Sequence, residues 1–173
     1  NFCGDDSPQD TTTKMSLTYE ILRQLPKADL HCHLDGYCRV NTIIELAAEQ
    51  GVELPTTNPE ELKNILTAPL DCPDLVTYLK CFDAPVAVMQ YAYAITRIFY
   101  EACEDAVATG VRYLELRFAP ALHTQKGLSL VQILEAAIDG AVMAEQRLPI
   151  TVRIICCAMR HMDPELNHEI AEL

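Results

Sequence analysis

The stretch KADLHCHLDG, residues 27–36, sets two histidines one residue apart in an otherwise apolar run and follows them with an acid and a glycine. KADLHCH reads as a buried strand. Downstream, Thr42 with Glu45 three residues on reads as a capping box for the helix IIELAAEQ, which Gly51 closes. Asn58, Pro59 and Glu61 start a short helix, and Leu75, Tyr78, Leu79 and Phe82 recur at helical spacing on another. These helices are expected as an insertion after the first strand. From Val86 to Thr109 the positions Val88, Ala92, Ile95, Phe99, Ala102 and Ala106 keep one helical stripe up to Gly110. VRYLELRF follows as a strand, Ser129 with Gln132 caps a helix to about Glu145, ITVRIICCA is a β-branched strand, and Asp163-Pro164-Glu165 opens a last helix.

Strand and helix therefore alternate three times, which predicts an α/β fold with a parallel sheet and right-handed crossovers. Three parallel strands leave both outer edges unpaired. The expectation is the first three or so βα units of a (β/α)8 TIM-type barrel, apparently truncated. Residues 1–15, NFCGDDSPQDTTTKM, have the composition of a flexible N-terminal tail, leaving 16–173 as the folded part.

Half of the 173 residues are hydrophobic, enough for a sizeable core, and the net charge is −12, from 13 Lys and Arg against 25 Asp and Glu. That balance argues against a nucleic-acid polymer as partner. No apolar stretch approaches the roughly 20 residues of a membrane span, and the start, at Asn1, lacks the pattern of a signal peptide. A cytoplasmic protein without a membrane partner is expected. The eight cysteines are scattered, with no CxxC pair, and read as reduced core residues.

Residues two apart on a strand share a face, so His31 and His33 present their imidazoles together while Cys32 points away. Two such nitrogens make half of a zinc site, which takes three or four protein ligands. The alternative is a pair of partly buried histidines bonded to neighbouring backbone. Glu115 and Arg117 share a face, as do Thr151 and Arg153, and charges on inner strand faces are expected to pair with one another. Arg160 and His161 are expected at the end of the third strand.

Taken together, LPKADLHCHLDG, YLKCFDAPVAVMQ, VRYLELRFAP and CCAMRH resemble, in order, motifs of the adenosine deaminase family of metal-dependent amidohydrolases. GYCR after the acid departs from the family, which more often has a small or aliphatic residue there. The resemblance implies a zinc barrel that hydrolytically deaminates adenosine and deoxyadenosine to inosine and deoxyinosine in purine salvage. It implies that His31 and His33 ligate Zn2+, and that His33, Asp35, Leu75, Tyr78, Leu79 and Phe82 contact the purine nucleoside, Asp35 at the ribose. The family's remaining zinc ligands and its proton-transferring residues lie on later strands, so no catalytic residue is expected within this chain, which alone should be inactive. Alternatives are a sibling deaminase for adenine or a nucleotide, a metal-dependent phosphoesterase, and a non-catalytic chain that pairs its sheet edge with a partner.

Overall fold

In VRYLELRF every second side chain is large and apolar, and in the computed structural model, which describes residues 16–173, this stretch is the central strand β2 (Val111–Phe118). Strand β1 (Lys27–His33) lies parallel on one side and β3 (Thr151–Cys156) parallel on the other. Leu114, Leu116 and Phe118 are buried on one face, while Tyr113, Glu115 and Arg117 on the other are only partly covered. The alternation thus puts the helices on one side of the sheet only.

The helices are α1 (Tyr19–Gln24), α2 (Val40–Gln50), α3 (Pro59–Leu66), α4 (Leu75–Leu79), α5 (Asp83–Val88), α6 (Ala92–Ala108), α7 (Leu130–Arg147) and α8 (Pro164–Glu172). Helices α6 and α7 carry most of the core: Ile95, Ile98, Phe99, Ala102, Ile133 and Ala137 are almost fully buried. Their backbones approach at Gly140, where a Cβ would lie 2.6 Å from the Phe99 Cβ and 2.7 Å from the Thr96 carbonyl oxygen. Ser129 and Gln132 form the expected capping box of α7, and the Asn58 and Asp163 side chains accept from the first turns of α3 and α8.

Several expectations are corrected. The helix after β1 begins at Val40 with no side-chain cap, so Thr42 and Glu45 form no capping box. Thr42 is buried and donates to Glu101 Oε2 at 2.6 Å, and Glu45 pairs with Arg97 at 2.6 Å. A buried carboxylate on α6 needs those partners more than α2 needs a cap. The stripe from Leu75 to Phe82 is not one helix: α4 stops at Leu79, and a 3-10 turn (Lys80–Phe82) leads into α5. Pro85 explains the break, because its ring would clash with the carbonyl of Cys81 in a continuous α-helix. The stripe from Val86 to Thr109 is likewise split between α5 and α6 at Met89–Tyr91.

Strand β3 ends at Cys156, so Arg160 and His161 sit in the turn beyond it. The expected ion pairing holds only for Arg153, which pairs with Glu145 of α7 at 3.3 Å and not with another strand residue; Glu115 accepts from the Tyr113 hydroxyl at 2.9 Å, and Arg117 Nε has no partner. Among the described residues Cys32 and Cys103 are free thiols buried in the core and Cys38 and Cys156 pack against it, whereas Cys72, Cys81 and Cys157 are free but lie outside the core, which corrects their reading as core residues. No helix among the described residues is long and apolar enough to cross a membrane. The tail expected over residues 1–15 lies outside the described residues.

Candidate active site

The site starts from an irregularity in β1. Asp29 pairs with Leu114 and Cys32 with Leu116, so three steps along β1 face two along β2. Such a bulge kinks the strand and re-aims its side chains. The Asp29 carboxylate supports it, accepting from the His31 backbone N–H at 3.1 Å. Cys32 and Leu34 anchor the strand in the core, and His31 and His33 emerge on the open face with ring centroids 5.3 Å apart.

Their Nε2 atoms lie 3.3 Å apart. Two ligands at about 2.0–2.1 Å from one zinc ion and at a tetrahedral angle are about 3.3–3.4 Å apart, so the pair fits one metal without rearrangement. A ring N–H donated from one histidine to the other satisfies the same spacing. Among the described residues no group of three or more His, Cys, Asp or Glu side chains assembles around an ion, so this pair supplies two positions and no more.

Asp35 follows in a 3-10 turn (Leu34–Gly36), and its Oδ1 is buried with no hydrogen-bond partner. Burial pushes its carboxyl above the ordinary range, opposed by the charge of His33 and by the backbone N–H groups of Asp35 and Gly36. An unsatisfied carboxylate oxygen beside two convergent imidazoles is an acceptor waiting for a donor.

These groups open into a cavity of about 760 Å³ at the carboxyl ends of the three strands. His31, His33 and Asp35 line one end, and Tyr78, Leu79 and Phe82 form an apolar wall, with Tyr78 and Phe82 edge-to-face at 5.4 Å. Leu75, a turn earlier on α4, does not line it and is 67% exposed. Phe118, Leu122, Gln125 and Met159 make the facing side, and His161 lines the cavity from its turn while Arg160 does not. Asn167 of α8 holds Met159 in place, accepting from its N–H and donating to its carbonyl, both at 2.9 Å.

Sequence reasoning missed Asp29, Leu122, Gln125 and Met159. Gln125 and Met159 sit in loops and Leu122 in a 3-10 turn (Pro120–His123), where no periodicity marks them; Asp29 carried a signal, a charge inside a strand otherwise read as buried. Nearby, His123 is 2% exposed against Phe118, with ring centroids 5.8 Å apart, and its Nδ1 has no partner. Burial pulls its pKa down to about 4, with a backbone hydrogen bond at Met89 acting the other way. It is a neutral core residue and does not line the cavity.

The family profile described as adenosine deaminase matches residues 26–173. The chain belongs to the adenosine deaminase family. A probable adenosine deaminase of Dictyostelium discoideum is 52% identical over 157 residues, which is 91% of this chain and 20% of that protein. An adenosine deaminase of Vibrio vulnificus is 47% identical over 148 residues, 86% of this chain and 45% of that protein. The chain spans less than half the length of these curated relatives.

Among solved structures, an adenine deaminase from Arthrobacter aurescens superposes with a TM-score of 0.74 at 26% identity, over 87% of this chain and 44% of that one. An N6-methyl-AMP deaminase from Arabidopsis thaliana gives 0.71 at 28% identity, over 90% and 46%. An amidohydrolase from Burkhoderia ambifaria with bound zinc gives 0.71 at 25% identity, over 89% and 42%. The parallel β1-β2-β3 sheet corresponds to the N-terminal part of the amidohydrolase TIM-type barrel, and the family is one of hydrolases.

Proposed function

We propose that this chain carries the first zinc ligands and much of the nucleoside pocket of an adenosine and deoxyadenosine deaminase. The observation that carries the reading is the pair of Nε2 atoms 3.3 Å apart beside the unpartnered Asp35 Oδ1, at one end of an apolar-walled cavity. His31 and His33 would hold Zn2+ through Nε2, which places each ring proton on Nδ1. When bound, zinc supplies a water whose pKa is lowered to about 7. The further ligands and the proton-transferring groups come, in this reading, from other strands of the whole barrel.

Tyr78, Leu79 and Phe82 would cover the flat faces of the purine and keep bulk water from the reacting carbon. Asp35, once ionised, accepts but cannot donate, so a ribose hydroxyl suits it and a phosphate does not. That favours a nucleoside over a nucleotide, and the net charge of −12 adds no field to draw in a dianion. The free thiols suit a reducing, cytoplasmic compartment, where purine salvage would use the activity.

The test is kcat/KM of the whole zinc-loaded enzyme for adenosine, deoxyadenosine, adenine and AMP, in the wild type and in Asp35→Ala. Adenosine and deoxyadenosine should lead. Losing a hydrogen bond to a charged group, about 1.5–3 kcal/mol, should cost Asp35→Ala about 10- to 100-fold on nucleosides and little on adenine. A preference for adenine or AMP, or an unchanged preference in Asp35→Ala, would hand the site to one of the sibling activities.

A further inference from the structure

We propose that Gln90 sets the distance between two walls of the cavity and is thereby a positioning residue for its ligand; this rests on the reading of the cavity as the nucleoside site. Gln90 lies between α5 and α6 and is 2% exposed. Its Nε2 donates to the Val86 carbonyl at 2.8 Å and to the Leu122 carbonyl at 3.0 Å. Its Oε1 accepts from the Gln125 N–H at 3.0 Å. Val86 belongs to α5, Leu122 to the 3-10 turn after β2 (Pro120–His123), and Gln125 to the loop before α7. All three line the cavity, and they come from three separate segments of the chain.

One buried amide therefore ties the wall built from α4 and α5 to the wall built from the β2 loop. Both of its donor hydrogens are used, and its oxygen holds the third segment, so no other side chain of this size reproduces the set. Each side also has its own anchor in the core, the β2 loop through His123 buried against Phe118 and α5 through buried Pro85 and Val88, so the tie fixes the separation between them. The hydrogen bonds of Gln90 go to Val86, Leu122 and Gln125 and to none of His31, His33 or Asp35, so releasing it changes how tightly a ligand is held while leaving the groups at the reacting end in place.

The experiment uses the whole zinc-loaded enzyme with adenosine. Gln90→Met keeps the volume and removes all three hydrogen bonds; KM should rise about tenfold with kcat within about threefold. Gln90→Glu has no donor when ionised and sets its charge against two carbonyl oxygens. When protonated it regains one donor and one acceptor, so its KM relative to wild type at the same pH should fall as the pH is lowered. In the ligand-free protein, Gln90→Met should raise amide exchange about tenfold in 84–88 and in 119–126 together.

An unchanged KM, a kcat loss at constant KM, or exchange that rises in neither segment or only one would overturn the proposal. If the wild type turns over no purine nucleoside, the functional reading fails, and the exchange measurement still decides whether Gln90 ties the walls. If Gln90→Met does not fold, Gln90→Glu at low pH decides, by recovery or its absence.

Discussion

His123 should make the protein sensitive to acid in a window that its surroundings define. In the folded chain its pKa is lowered to about 4 by burial, from an ordinary value of 6.5. Above about pH 6.5 both folded and unfolded chains hold it neutral, and it contributes nothing to pH dependence. As the pH falls below that, the unfolded chain takes up a proton that the folded chain refuses, so stability is lost until about pH 4, where the folded state also protonates. At about 1.4 kcal/mol per pH unit, the loss is about 2 kcal/mol at pH 5 and about 3 kcal/mol in full. With the side chain 2% exposed, solvent does little to screen the imidazole. Asp35, whose pKa is raised, contributes with the opposite sign, so the wild-type curve alone does not isolate the histidine. His123→Leu does: the leucine suits a buried position beside Phe118 and removes the unpartnered Nδ1. Urea unfolding at pH 7.5, 6 and 5 should show the wild type losing about 2 kcal/mol more than His123→Leu between the first and the last. Equal losses in both proteins would refute the argument.

Two further outcomes are expected. Gly140→Ala should gain about 1 kcal/mol of helix propensity yet be destabilising overall by about 1–2 kcal/mol in urea unfolding, because its Cβ would fall 2.6 Å from the Phe99 Cβ and 2.7 Å from the Thr96 carbonyl; a stabilised variant would show that α6 and α7 can separate freely. Phe82→Ala should lower kcat/KM for adenosine about tenfold or more in the whole enzyme, whereas Leu75→Ala, 67% exposed and off the cavity, should change it less than about twofold; equal effects would restore Leu75 to the wall.

The parts of the fold that were legible in the sequence are those whose signals are local. Ser129 and Gln132 exchange hydrogen bonds three residues apart at an exposed helix start, so the letters suffice to find them. Thr42 and Glu45 carry the same letters, but their partners Glu101 and Arg97 lie 59 and 52 residues away, and a buried carboxylate outweighs a cap. Pro85 did announce the break after α4; the apolar stripe running through it was the stronger and misleading signal. Of the candidate site, the histidine pair and Asp35 were legible because a strand's period puts them together and the motifs around them are specific. Gln90 was not, since its three bonds reach one residue four positions back and two residues 32 and 35 positions ahead.

The pleat of β1 also decides which donors a metal could meet. Chemically, HCH offers two imidazoles and a thiol, and a thiol is a good zinc ligand once ionised. Spaced one apart, the three cannot share a face. Cys32 is 2% exposed and Leu34 fully buried, so the strand is held to the core through the residues that alternate with the histidines. The same packing that fastens β1 therefore turns the thiol away and the two imidazoles outward. The bulge between Asp29 and Cys32 adds the second element: it lets Asp29 hold the His31 N–H while the pairing with β2 resumes at Cys32 and Leu116. If the bulge were removed by deleting one residue, Leu30, Asp29 and Cys32 would lie two apart like their partners Leu114 and Leu116, so the ladder would become regular with its pairs unchanged. The histidine pair would keep its spacing, and Asp29 would lose its hold on His31. The site is thus a consequence of how this strand is packed and paired, and its two nitrogens are presented by the residues that fasten β1 to the core and to β2.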